Sequence, residues 1–237
     1  MPDLFFVLNY KNRGVSILRY RDVPLMEIGW NQLLEFVETP TLYRDGKLVP
    51  TGIPSASVGF EYPANILERT PNDPAWGGVW CRYAQRGDSV VLHLWARNDS
   101  PYTVRGLAVS LLELSPPGWA EVGEARTAKP PGKESIVFKP AVPRFPLRVL
   151  RGEPPAVFLR FAAFSVAFGR QFGGQLDAGD WNLRVLRESG KHGKKYRYVF
   201  ATTVPDLKPR QTVRTIASLL FAPETANAAH LLRSVLR

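Results

Sequence analysis

Residues 87–114 read GDSVVLHLWARNDSPYTVRGLAVSLLEL, and their reading decides the fold. Val90, Leu92, Leu94 and Ala96 alternate with Val91, His93, Trp95 and Arg97. This is the period of two that a half-buried strand requires, because successive side chains leave opposite faces of the pleat. NDSP then supplies a turn, and Val104 to Leu114 predicts the next strand.

Working outward, the same logic predicts a chain of short strands. VSILRYRDV, behind the turn NYKNRG, closes an N-terminal pair of strands. AGDWNLRVLRESGKHGKKYRYVFATTV predicts a hairpin, IVFK a short strand and QTVRTIASLLFA another. EPPAVFLRFAAFSVAFGRQFGG fits both periods: Phe158, Phe161, Phe164 and Phe168 have near-helical spacing, yet alternation makes the run a long buried strand. Its strand-rich neighbours favour the strand.

Two segments read as helices. In PLMEIGWNQLLEFVE, Trp30, Leu33, Leu34 and Val37 form a stripe bracketed by Pro24 and Pro40. In PETANAAHLLRSVLR, Ala228, Leu231, Leu232 and Val235 share a face. Between Pro40 and Pro74 five further positions, Pro50, Pro54, Pro63, Pro71 and Pro74, break any long regular element, and the stretch reads as an extended arm lying on a neighbour. The expected fold class is therefore mainly β: an antiparallel β-sandwich or jelly-roll-like core with one N-terminal-region helix and a C-terminal helix. The expected organisation is strands, helix and Pro-rich arm over 1–77, a sandwich core over 78–222 and the terminal helix over 223–237.

Composition bounds the rest. Of 237 residues 45% are hydrophobic, enough for a substantial core, and the lone Cys81 forbids an internal disulfide. No uninterrupted apolar run approaches a membrane span, and MPDLFFVLNYKNRG lacks the marks of a signal peptide, so synthesis in the cytoplasm is expected. Twenty-one prolines and a preference for Arg over Lys hint at a heat-adapted source. Residues 1–100 carry 10 Lys/Arg against 11 Asp/Glu, and residues 101–237 carry 21 against 10, so the excess positive charge falls in the second part. That asymmetry suggests a surface for an acidic partner.

Chemistry is sparse. His93, His192 and His230 stand far apart with no metal-ligand spacing, and no GxSxG elbow surrounds a serine. Cys81 in GVWCRY reads as a buried inert thiol. The glycine-rich FGRQFGGQLDAGD lacks the Lys-Ser/Thr ending of a phosphate-binding loop, and its Asp177 and Asp180 are turn formers. No catalytic residue, cofactor or metal site is assigned from sequence. In ESGKHGKKYRYVF, Tyr196, Tyr198 and Phe200 fall on one side of a strand and Lys195, Arg197 and Val199 on the other, whereas a grip on single strands needs aromatics and cations together.

Lys191, Lys194, Lys195 and Arg197 are thus the candidate contact for an acidic partner, and Leu231, Leu232, Val235 and Leu236 the candidate assembly helix. Together these features predict a non-enzymatic structural subunit of a larger assembly, a virus or phage particle component, with other copies or other protein subunits as partners. The alternatives are a nucleic-acid-binding accessory protein using the basic part, and a β-sandwich ligand- or carbohydrate-binding module. The last would show exposed Trp or Tyr platforms.

Overall fold

The computed structural model describes residues 2–9, 14–26, 33–38, 41–49, 55–59, 66–73, 77–118, 120–126, 135–140, 147–148, 156–170, 181–190, 193–227 and 230–231. Strands dominate them, and every pairing is antiparallel. A small sheet is formed by β1 (Leu4–Asn9), β2 (Gly14–Tyr20) and β3 (Val23–Pro24). A five-stranded sheet runs in the order β15 (Leu147–Arg148), β18 (Trp181–Gly190), β19 (Gly193–Thr203), β12 (Ala108–Leu114) and β4 (Leu33–Glu38). The largest sheet has nine strands. Their order is β14 (Ser135–Pro140), β13 (Glu121–Arg126), β16 (Ala156–Arg160), β17 (Ser165–Arg170), β20 (Thr212–Ala222), β10 (Ser89–Asn98), β9 (Gly77–Arg86), β8 (Ile66–Asp73) and β7 (Ser55–Gly59). A second three-stranded sheet joins β11 (Thr103–Arg105), β5 (Thr41–Arg44) and β6 (Lys47–Val49).

The core lies between the nine- and five-stranded sheets. Val79, Cys81 and Tyr83 of β9, Val90, Leu92 and Leu94 of β10, and Leu219 and Phe221 of β20 are buried there. Tyr198 and Phe200 of β19 with Leu112 and Leu114 of β12 face them from the other sheet. Contact across the layers is direct: the Phe168 and Phe200 rings sit 4.8 Å apart, and the Tyr83 hydroxyl donates to the Leu111 carbonyl at 2.6 Å. Burying each such side chain contributes about 1.5 to 3 kcal/mol, which is how a chain without disulfides holds this shape. The small sheet seals one end, where Leu4, Leu18 and Tyr20 join the core and Tyr20 stacks at 6.1 Å on Phe221.

Three details differ from the sequence reading. Leu33–Glu38, expected within a helix, is a strand paired with β12. Its helical stripe lost to a ready ladder edge, since tertiary pairing overrides a short periodic signal. The Pro-rich stretch is no free arm: β7 and β8 extend the large sheet, with Ile66 opposite Ala84 and Leu67 opposite Tyr83 of β9. The phenylalanine-rich run is two strands, β16 and β17, turned by the Phe161 N–H donating to the Phe164 carbonyl at 2.8 Å. At the C-terminus a helical turn is seen at His230 and Leu231, where the Asn227 side chain accepts from the His230 N–H at 3.0 Å as an N-cap.

Candidate functional site

The nine-stranded sheet has a second side, turned away from the core. On β9 the even positions take it and on β10 the odd ones, as the burial alternation shows. Register then builds rows across the strands. His93 stands opposite Arg82 on one neighbour and Ile216 on the other, and Arg82 stands opposite Glu68. In the next row Trp95 lies between Trp80 and Arg214.

The two indoles stack at 6.2 Å with 7° between their planes, and the Arg97 guanidinium lies 5.5 Å from the Trp80 ring centre. Trp80, Arg82, His93 and Trp95 are half-buried, whereas Arg86, Arg97 and Arg214 are exposed. Arg97 is also paired with Asp99 at 2.8 Å. Burial, reinforced by the charges of Arg86 and Arg82, holds the His93 imidazole below its ordinary range. At neutral pH it is therefore uncharged, able to accept a proton beside guanidinium groups that steady negative charge.

A backbone knot fixes the far end of this face. The buried Asn98 side chain donates to the carbonyls of Tyr102, Leu207 and Lys208 at 2.6, 3.1 and 3.0 Å, and accepts from the Ser100 hydroxyl at 2.7 Å. Opposite it Gly77 holds a φ of +138°, and a Cβ there would strike the Arg97 carbonyl. Among the described residues no group of His, Cys, Asp and Glu side chains could hold a metal ion.

The residues singled out from sequence lie elsewhere. Arg197 of β19 is half-buried and paired with the buried Glu113 of β12, its Nη2 donating to Oε2 at 2.5 Å. Lys194 and Lys195 stand in β19 opposite Ser189 and Glu188, and Lys191 lies outside the described residues. Leu231 is buried in its own chain, and Leu232, Val235 and Leu236 lie outside the described residues. The row of His93, Trp95 and Arg97 was visible as one side of a strand. Its partners Trp80, Arg82 and Arg214 were not, because nothing in GVWCRY announces which strand it pairs with.

No family model matches the chain, and no curated relative does. Solved structures do. A galactose mutarotase related enzyme from Lactobacillus acidophilus superposes with a TM-score of 0.58 at 12% identity, over 94% of this chain and 99% of that one. A GalM/aldose epimerase homologue from C. elegans gives 0.52 at 11% identity, over 94% and 99%. A polysaccharide lyase gives 0.54 at 12% identity, over 98% of this chain but 34% of the lyase.

At such identities the likeness establishes the fold: a β-sandwich of the galactose mutarotase kind. It overturns the expectation of a non-enzymatic virus or phage component, which stood on architecture alone. That architecture is shared instead with proteins described as carbohydrate enzymes, and the expectation that the chain is no enzyme goes with it.

Proposed function

We propose that this chain is a carbohydrate-active protein which takes a sugar on the outer side of the nine-stranded sheet and transfers a proton there through His93. The observation that carries this is the row joining the uncharged His93 to Arg82, beside the stacked Trp80 and Trp95. Indoles offer the flat apolar surface against which the C–H face of a pyranose packs, and an imidazole next to a guanidinium can move a proton while an oxyanion is steadied. The galactose mutarotase and aldose epimerase likenesses support a sugar as the substrate class.

The simplest reaction that such a site supports is interconversion of sugar anomers. His93 takes the proton of the anomeric hydroxyl, C1 becomes a carbonyl carbon as its bond to the ring oxygen breaks, and the alkoxide so formed faces Arg82 until it takes a proton from water. Ring closure on the other face of C1 reverses each step and gives the other anomer. Proton transfer by a positioned side chain contributes roughly 100- to 10,000-fold, and this sets the size of the expected loss.

The test is the rate at which freshly dissolved α-galactose reaches its anomeric equilibrium, followed by polarimetry. The chain should accelerate it, and His93→Ala should remove about 100-fold or more of that acceleration. Unchanged acceleration in the variant would refute the role of His93. Absence of both acceleration and sugar binding in the unaltered chain would refute the whole reading.

A further inference from the structure

Five adjacent strands of the large sheet, β16, β17, β20, β10 and β9, contain no aspartate or glutamate. They do contain arginines, and alternation puts Arg214, Arg97, Arg82 and Arg86 on the side away from the core. A surface charged only for solubility mixes both signs. Here one sign gathers around Trp80, Trp95 and His93, and a single-signed surface over a low-dielectric wall focuses its field on whatever binds. Among the described residues two acids lie near: Asp99 pairs with Arg97, and Glu68 stands opposite Arg82 in register. Arg86 and Arg214 are exposed on either side of the His93 row.

We propose that the sugar taken by this face is anionic, an aldose carrying a carboxylate or a phosphate, with Arg86 and Arg214 drawing in its charge and the indoles seating its ring. This rests on the reading that the face binds a sugar at all. An arginine fork matches both carboxylate and phosphate oxygens, so the two anions share one recognition chemistry.

Three ligands with one ring separate the cases: galacturonate, galactose 6-phosphate and galactose, titrated into the full chain by calorimetry and tryptophan fluorescence. At about 50 mM salt, at least one anion should bind roughly tenfold tighter than galactose, a gap that one well-placed charge pair supplies. The tighter of the two anions identifies which group the arginines hold. The gap should shrink about fivefold or more in Arg86→Gln or Arg214→Gln, whose exposed positions leave the fold intact by circular dichroism, and again at roughly 200 mM salt.

Equal affinity for all three sugars would overturn the anionic preference and leave the sugar site standing. A gap that survives both substitutions would overturn its assignment to this face. Binding of none of the three would overturn the sugar reading itself. Tighter binding of a single-stranded oligothymidine than of any sugar would overturn both, since stacked indoles and arginines on one surface also suit nucleic acid.

Discussion

His93 stands between Ile216 and Arg82 in register, and two influences act on its imidazole: burial, and then the charges of Arg86 and Arg82. Both push the imidazole toward its neutral form. Its pKa in the fold lies below the 6.5 of the unfolded chain, so on acidification the unfolded state takes up the proton first. Stability is thus lost as pH falls through about 6.5, and His93→Gln should blunt that loss in urea melts at pH 5 compared with pH 8. An unchanged pH difference in the variant would contradict it.

Tyr198 works at the other limit. Burial pushes its phenol up to about 12, and its oxygen accepts from the Ala120 N–H at 2.8 Å. Here the unfolded chain releases its proton first, near pH 10, so stability holds below that and falls as pH rises toward 12. Tyr198→Phe should flatten this alkaline fall while lowering stability at pH 7 by about 1 to 3 kcal/mol, the cost of leaving the Ala120 N–H unsatisfied. Thermal melts from pH 8 to 11 check both effects.

Elements were legible in the sequence where a strand is long and one side of it is buried. β10, β18, β19 and β20 follow from alternation alone, and RDGK turns between β5 and β6 with Asp45 and Gly46 both at positive φ, the chemistry of a tight hairpin. β4 was misread because six residues can satisfy a helical stripe by chance, and β7 and β8 because a proline on a paired strand argues against pairing. β13, between β14 and β16, received no assignment from the sequence.

The basic tract on β19 shows the limit of charge counting. Arg197 is held against Glu113 across the β12 and β19 ladder, so one member of the supposed contact surface is engaged within the chain. Removing one partner of a pair this buried leaves the other charge stranded, and Arg197→Ala should cost about 2 to 3 kcal/mol in denaturant melts. A loss below about 0.5 kcal/mol would mark the pair as a surface one. Counting by segment also hid the face that matters, since Arg82, Arg86 and Arg97 belong to the first 100 residues, whose net charge is slightly negative.

Across the whole molecule, the two large sheets spend one side each on the core, and the proposed sugar site lies on the other side of the nine-stranded one. Its end is locked where Gly77 passes under the Arg97 carbonyl, two residues from the indole row. Gly77→Ala should therefore lower the melting temperature and weaken sugar binding together, as thermal melts and calorimetric titration of the same variant would show. The central claim is that this outer face is where a sugar sits. A crystal structure of the chain grown with galacturonate tests it most directly. The expected result is a pyranose packed on Trp95 with a hydroxyl within hydrogen-bonding distance of the His93 imidazole. A sugar seated on the five-stranded sheet, or an outer face left bare while the sugar binds elsewhere, would contradict it.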